Sequence, residues 1–346
     1  MRYFHMYRRK VQMVGGSTYV VSIPKQWAEE MGIEEGSDVG IEKLADGSLK
    51  IFPVSGKRPE PPAPKLYFSC IESDEVMSRA ILAHYLGGAK EIKIIAKDVE
   101  CKERILKVIS FLKSKVLGLE VIEETSSEVT LGVILDFKFS NLSSAQQKML
   151  KTICSMVDDI VRAVSESNPG ILSDIYKRDD LLDRLYLYSI RYITAIASSS
   201  ETEDRIMPHL LPHYALIMKS LERIGDHVSA IAKNLVESLN RNEIEKHHLE
   251  QLISFLTQTK ALLDQISLLA QKFDYSLLVK ATELAISLLR KEAELRRSID
   301  KPMIYYSYIV ESCRRIAAYS IDVLESILDV AALIRKDLGS IQNEVK

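Results

Sequence analysis

From residue 143 onward, apolar residues recur with the 3.6-residue period of an α-helix, and strand signals disappear. Long helices joined by short connections pack as antiparallel neighbours in a bundle. A long helix between short loops occurs twice, which predicts two three-helix repeats, at 144–240 and 243–337. The pattern predicts six helices, at 144–166, 171–199, 211–240, 243–272, 276–299 and 304–337.

Two smaller regions precede this bundle. Residues 1–55 read as short strands and turns, with one short helix that begins at Pro24. A proline-rich linker follows at 56–64, and a domain boundary is expected there. Residues 65–140 alternate strand and helix patterns, which predicts a small α/β domain with a structural or dimerising role.

Composition and net charge narrow the binding partners and the cellular compartment to expect. The net charge of −2 gives no general attraction to nucleic acid or membrane, so any basic site must be local. Four cysteines lie far apart without a CxxC pair, which argues against a disulfide framework and a thiolate zinc site. No secretory signal or membrane-spanning apolar run is recognisable. We therefore expect a cytoplasmic protein without membrane insertion.

Two neighbouring helices each place a pair of carboxylates, one turn apart, in an otherwise apolar stripe. The pairs are Asp179 with Asp183 and Glu222 with Asp226. Burying unpaired carboxylates costs several kcal/mol per ion, so a partner is required. Arg184 is better placed to pair with Asp180, and Arg223 is expected to point away from Glu222. A divalent or trivalent metal ion between the helices is therefore the favoured partner.

The all-oxygen ligand set indicates which metal to expect. Carboxylates favour Mg, Mn or Fe over Zn. Gly225 and Ser229 would let the two helices approach closely. The alternative is a register that differs by one residue, which would leave both carboxylate pairs in solvent. In the second repeat, Arg314 and Ala318 stand opposite Glu222 and Asp226, so we predict one metal site rather than two.

The first 28 residues carry cations and no acidic residue. Such a segment can contact the phosphates of DNA, although small basic clusters are often only solvated. The candidate DNA-binding residues are Arg2, Arg8, Arg9, Lys10 and Lys25.

Two motifs in the bundle resemble a known family. LERIGDHVSAIAKN, residues 221–234, resembles the signature of PhoU proteins, and RDDLLDRLY, residues 178–186, is similar to the partner motif on the preceding helix. PhoU proteins are tandem three-helix repeats that bind metal clusters through E/DxxxD pairs and regulate phosphate uptake. The resemblance implies that the ligands are Asp179, Asp183, Glu222 and Asp226, and the second repeat departs from the pattern.

Residues 15–52, from GGSTYVVSIP to SLKIF, resemble the AbrB/SpoVT swapped-hairpin fold. Domains of that fold are dimers that interdigitate two chains and bind DNA, and some members serve as antitoxins. An AbrB-like head joined to a PhoU-like body is similar to archaeal phosphate-uptake regulators. The resemblance implies a multidomain fold: a swapped-hairpin β domain, a small α/β domain and an all-α antiparallel bundle of two three-helix repeats.

These features predict a regulator of phosphate uptake or phosphate signalling that is not an enzyme. It would bind DNA as a homodimer through its N-terminal domain and metal through its bundle. One alternative is an adaptor that docks on a phosphate transporter or sensor kinase, with the N-terminal domain only dimerising it. Another is an antitoxin-like or other AbrB-type transcription factor. A carboxylate-metal enzyme is disfavoured because no Glu-x-x-His pair accompanies the four carboxylates.

Overall fold

The computed structural model describes residues 7–43, 47–54, 63–135, 141–198, 207–299 and 302–334. Arg2 and nearly all of the predicted linker at 56–64 lie outside the described residues. The chain divides into two compact units, Met1–Ala63 and Pro64–Lys346.

The N-terminal unit consists of two β-hairpins and one short helix. Strand β1 (Gln12–Val14) pairs with β2 (Thr18–Val20), and β3 (Val39–Lys43) pairs with β4 (Leu49–Pro53). Helix α1 (Lys25–Glu30) follows the first hairpin. Gly15 and Gly16 make the first turn with φ angles of 64° and 75°, which glycine adopts without steric cost. None of the described residues up to Val54 is buried, so this part of the chain has no core of its own.

The second unit begins with the α/β domain. Strands β5 (Lys65–Phe68), β6 (Glu91–Ala96), β7 (Leu119–Glu124) and β8 (Glu128–Val133) form one sheet in the order β5-β6-β8-β7. Strands β5 and β6 are parallel and are connected by α2 (Asp74–Leu86); the other pairs are antiparallel. Helix α3 (Val99–Lys115) connects β6 to β7. Ser73 and Asp98 cap the two helices and fix where each begins.

The sequence-based argument against disulfides is wrong for one pair of cysteines. Cys70 follows β5 and Cys101 lies in the first turn of α3, and their sulfurs are bonded at 2.11 Å. They are 31 residues apart in sequence. The parallel pairing of β5 and β6 places the carboxyl ends of both strands, and hence both cysteines, at one edge of the sheet. Spacing along the chain did not reveal this proximity.

The described residues from Leu142 onward are mostly helical. The bundle helices are α4 (Leu142–Ser165), α5 (Ile175–Ser198), α6 (Leu211–Asn240), α7 (Lys246–Gln271), α8 (Tyr275–Arg297) and α9 (Ile304–Ile334). Helix α5 begins later than the predicted residue 171, because a 3₁₀ turn occupies Pro169–Asp174. Helices α6 and α9 pack together, with α5 beside α6 and α8 beside α9. The predicted fold class is confirmed, whereas hairpin exchange between two chains stays a prediction.

The α/β domain is attached to α5. Arg191 in α5 is buried and donates hydrogen bonds to the carbonyl oxygens of Tyr85 and Ala89 at the end of α2. Its guanidinium lies 4.8 Å from the centre of the Tyr85 ring. Lys115, the last residue of α3, bonds Asp180 of α5 at 2.5 Å. Helix α5 is therefore held from the side of the α/β domain as well as by the bundle.

Candidate metal centre

Helices α5 and α6 approach closely at Gly225. A Cβ atom at this position would lie 2.3 Å from Cδ1 of Leu182, which is itself buried. Glycine therefore fits against the present conformation of Leu182, which any larger residue would displace. This agrees with the close approach expected from the sequence, and it brings the carboxylates of the two helices together.

Three of the four predicted ligands meet between these helices. Asp183 of α5 and Glu222 and Asp226 of α6 each offer one carboxylate oxygen, and these oxygens all lie within 4.8 Å of one another. Asp179 is not part of this group of three. It lies one turn before Asp183, and its carboxylate accepts a hydrogen bond from the hydroxyl of Ser229.

The site is partly withdrawn from water. Glu222 is only 8% exposed. Asp179 has a buried Oδ1 without a hydrogen-bond partner among the described residues. Burial, followed by the nearby charge of Asp183, raises the pKa of Asp179 to about 6. Burial, followed by the charge of Glu222, raises the pKa of Asp226 to about 6. The pKa of Asp183 is raised by the same two causes.

Two side chains of α6 neutralise part of this charge. Nζ of Lys219 lies 2.7 Å from both carboxylate oxygens of Glu222. Arg223 bonds Asp226 at 3.1 Å, and its Nε is 3.7 Å from Glu222. The expectation that Arg223 points away from Glu222 is therefore wrong, because its guanidinium is close enough to contact both carboxylates. Lys115 of the α/β domain adds a third cation, whose charge also acts on Asp183 while it pairs with Asp180. The carboxylates still outnumber the cations.

The sequence argument also missed two lysines. Lys219 precedes Glu222 by three residues, a spacing at which oppositely charged side chains meet on a helix, so this contact could have been found. The expected pairing of Arg184 with Asp180 is replaced by the bond from Lys115 to Asp180. Lys115 belongs to the α/β domain, and helical periodicity in the bundle could not reveal it.

The residues present fit a metal ion. Carboxylate oxygens are the ligands that Mg and Mn prefer, and carboxylate-rich bundle sites also hold Fe. The orphaned Oδ1 of Asp179 and the excess negative charge both call for a cation. His227 does not join the ligands: its ring stacks on Tyr319 of α9, with the ring centres 5.9 Å apart.

The equivalent place in the second repeat is built from ion pairs. Glu292 of α8 is 6% exposed and accepts hydrogen bonds of 2.9 and 2.6 Å from Arg296. Glu311 of α9 is bonded by Arg296, Arg314 and Arg315. The hydrogen bond from Arg314, followed by that from Arg315, lowers the pKa of Glu311 to about 2. Within the described residues, the first repeat holds the one cluster of three possible metal ligands.

The predicted DNA-binding residues lie in the N-terminal unit. Arg8, Arg9 and Lys10 are exposed and immediately precede β1. The guanidinium of Arg9 lies 5.6 Å from the centre of the Tyr7 ring, which packs edge-on against Trp27. Lys25, at the start of α1, is 3.7 Å from Glu29. We find no described helix with both the length and the apolar character needed to cross a bilayer.

Comparison with protein families identifies two parts of the chain. The PhoU domain family matches residues 147–235, which include both pairs of carboxylates. The family described as "Antidote-toxin recognition MazE, bacterial antitoxin" matches residues 12–59. None of the curated proteins with which the chain was compared matches it.

Solved structures show a related fold. The structure of PhoU from Pseudomonas aeruginosa superposes with a TM-score of 0.51 and 16% identity, over 58% of this chain and 100% of that chain. A phosphate transport system regulatory protein PhoU from Streptococcus pneumoniae gives a TM-score of 0.48 and 16% identity, over 57% of this chain and 95% of that chain. The chain thus joins a helical bundle that matches the PhoU domain family over residues 147–235 and has a PhoU-like fold to an N-terminal segment similar to the MazE antitoxins.

Proposed function

We propose that this protein is a non-enzymatic regulator of phosphate uptake that uses a bound metal ion in its bundle and binds DNA as a homodimer. The observation that carries the metal part is the meeting of Asp183, Glu222 and Asp226 beside the orphaned carboxylate oxygen of Asp179. The PhoU domain match over the same helices supports the assignment to phosphate regulation. DNA binding is proposed for the N-terminal unit.

The four carboxylates would hold the ion between α5 and α6, and Fe, Mn and Mg are the candidates. A bound metal supplies positive charge where Lys219 and Arg223 supply too little. The residues of the chain position the ligands: Gly225 sets the separation of the helices, and Ser229 orients Asp179 by its hydrogen bond. The site would then connect α5, which carries the α/β domain, to α6 at the centre of the bundle.

Metal analysis tests this proposal. The full-length protein should be purified without chelator, and its metal content measured by mass spectrometry. We expect bound metal in the wild type and its loss in Glu222→Gln, because the substitution removes the most buried carboxylate of the group. Glu237→Gln makes the same chemical change on the exposed side of the same helix and should keep the metal. Equal metal content in both variants would contradict the site.

The N-terminal unit gives a reason to expect a homodimer. Its apolar side chains remain exposed in the single chain, including Met13 (58%), Tyr19 (70%), Ile41 (65%) and Leu49 (65%). Two-stranded hairpins with no buried face are not stable alone in water. A second copy of the same segment would cover these side chains. The resulting dimer would contain two sets of Arg8, Arg9 and Lys10. Paired basic arms of this kind suit the regularly spaced phosphates of DNA.

DNA binding is tested by gel shift with DNA fragments taken from the regions upstream of phosphate-uptake genes. The variant with Arg8, Arg9 and Lys10 all replaced by Gln should lose affinity, and binding by the wild type should weaken steeply as salt rises. A matched variant that replaces the exposed Lys246, Lys272 and Lys280 of the bundle by Gln should bind as the wild type does.

The match to antitoxins favours a second candidate. The N-terminal unit would then capture a partner protein or only dimerise the chain, and the bundle would dock on a transporter or sensor kinase. Unchanged DNA affinity after loss of the three cations, in a protein that remains dimeric by light scattering, would favour this adaptor over the DNA-binding regulator.

A further inference from the structure

A cavity opens near the end of the bundle where α4 and α6 begin and α7 and α9 end. Its volume is about 250 Å³. The wall is formed by aliphatic and aromatic side chains, among them Ile217, Leu269, Phe273 and Ile327. It shares no residue with the carboxylate cluster, although Ile217 and Glu222 belong to the same helix. A concave, mostly apolar site with few polar groups is the usual character of a small-molecule site.

One polar side chain in the wall lacks a partner. Gln146 lies on the inward face of α4, where Leu142 and Met149 on the same face are buried apolar residues. It is 4% exposed, and its amide Nε2 has no hydrogen-bond partner among the described residues. An unpaired buried amide is costly, and a leucine at this position would avoid the cost. The glutamine therefore provides an unused hydrogen-bond donor beside this cavity.

A second polar group lies near the first. Tyr214 of α6 also lines the cavity, and burial raises the pKa of its hydroxyl, which therefore stays neutral. Lysine, arginine, histidine, aspartate and glutamate are missing from the described residues of the wall. A charged ligand would therefore find no side chain of opposite charge among the described residues of the wall.

We propose that this cavity binds a small neutral molecule that is largely apolar and carries one hydrogen-bond acceptor, such as a carbonyl oxygen, which accepts from Nε2 of Gln146. An apolar protein cavity of roughly 150 Å³ holds benzene. The larger volume here suits one ring with a short substituent. The proposal does not depend on the metal site or on DNA binding.

Three probe molecules separate the parts of this proposal. Acetophenone has the ring and the acceptor, ethylbenzene has nearly the same shape without the acceptor, and benzoate adds a charge. Binding to the full-length protein would be followed through the isoleucine methyl NMR signals, with Ile217 and Ile327 reporting on the cavity. We expect saturable shifts with acetophenone, affinity lower by about two- to tenfold with ethylbenzene, and no binding of benzoate.

Two variants locate the contact. Gln146→Leu removes the donor and should bring the affinities for acetophenone and ethylbenzene to the same value. Ala331→Phe adds a ring to the wall of the cavity and should abolish binding of both probes. Glu237→Gln, at an exposed position of α6, should bind them as the wild type does. The proposal is overturned if acetophenone does not saturate, if Ala331→Phe binds it normally, or if ethylbenzene binds to the wild type equally well. Should Ala331→Phe fail to fold, the ratio measured with Gln146→Leu decides.

Discussion

The two helical repeats hold clustered carboxylates in opposite electrostatic settings. In the first repeat, acidic side chains face one another, and the pKa values of Asp179 and Asp226 rise to about 6. In the second repeat, arginines surround Glu311 and its pKa falls to about 2. A protein interior accepts a carboxylate when a cation is supplied, and that cation can be a side chain or an ion from solution. The second repeat surrounds its carboxylates with arginines, whereas the first has fewer cationic side chains than carboxylates at the equivalent place.

The size and polarity of the packed side chains also differ between the two repeats at this place. By position, Ala317 of α9 corresponds to Gly225 of α6, and Ile321 corresponds to Ser229. Both residues of the first repeat are the smaller or more polar of the pair. The first repeat therefore gives up apolar packing at the place where its carboxylates converge. Such a loss is expected at a binding site, where local stability is exchanged for function.

Transplanting the arrangement of the second repeat into the first should produce the largest effect. The double variant Glu222→Arg with Asp226→Ala introduces the residue types found at Arg314 and Ala318. We expect metal affinity to fall by more than about 100-fold, which is about 2.7 kcal/mol. Metal added to the wild type should stabilise the folded protein by the binding free energy and so raise its melting temperature. This response should vanish in the variant.

The matched change in the second repeat is Glu292→Gln. It leaves Arg296 with a neutral partner, so it should lower the free energy of unfolding by about 1 kcal/mol, as for a partly exposed ion pair. Calorimetry with and without metal should show the same metal response as in the wild type. If this variant instead removed the response, the proposed difference between the repeats would be wrong.

Gly225→Ala tests the close approach of α5 and α6. The new methyl group would lie 2.3 Å from Cδ1 of the buried Leu182, so this side chain would have to move within its packed surroundings. Overpacking of this kind costs about 1 to 3 kcal/mol. Urea denaturation measures the loss, and Ala230→Gly on the same helix is a control in which only helix propensity changes. A stable Gly225→Ala protein with normal metal content would show that the spacing is not needed.

Periodicity was sufficient to predict the bundle and the carboxylate pairs. The stripe that contains Met218 and Glu222 has one period over a long helix, and that signal depends only on residues of the same helix. Proximity between distant segments was not predictable in this way. The disulfide between Cys70 and Cys101 depends on the pairing of β5 with β6, and the contact of Lys115 with Asp180 depends on how the α/β domain packs on α5.

The polar residue of the cavity, Gln146, was visible in the sequence, but a glutamine in an apolar stripe has several explanations. Gln146 interrupts the inward stripe of α4 much as Glu222 interrupts that of α6. A glutamine, however, is neutral, and in most helices it finds a hydrogen-bond partner or lies at the edge of the apolar face. Only the structure shows that its amide is both buried and unpaired.

The raised pKa of Asp179 predicts how stability depends on pH in the metal-free protein. Its pKa is about 6 when folded and near its ordinary value of 3.8 when unfolded. As pH rises from about 4 to 6, the unfolded chain releases this proton first, so the folded state loses stability; above 6 the loss is complete. Asp179→Asn should remove that loss and stabilise the chelated protein at pH 7.5 by about 1 to 2 kcal/mol, discounted for partial exposure.

Denaturant midpoints measured in chelator at several pH values between 4 and 8 check this prediction. The curves of the wild type and Asp179→Asn should converge near pH 4 and separate as the pH rises. Metal should reverse the order at pH 7.5, because it stabilises the ionised wild-type site. A variant less stable than the wild type in chelator at pH 7.5 would contradict a strained, uncompensated carboxylate.

Replacing Lys219 should have the smallest effect on metal affinity. This lysine neutralises a carboxylate of the first repeat, as arginines do in the second. Its ammonium group bonds both oxygens of Glu222 and lies 4.6 Å from the centre of the Tyr186 ring. A metal ion that binds Glu222 must compete with this contact. Lys219→Met keeps the aliphatic stem and removes the charge, so it should raise metal affinity by roughly two- to fivefold, the size of a partly exposed ion pair. Lys233→Met, an exposed lysine farther along α6, should leave affinity unchanged. If Lys219→Met weakened metal binding instead, the lysine would act as a support that orients Glu222 toward the ion, and the first repeat would then combine both ways of holding a buried carboxylate.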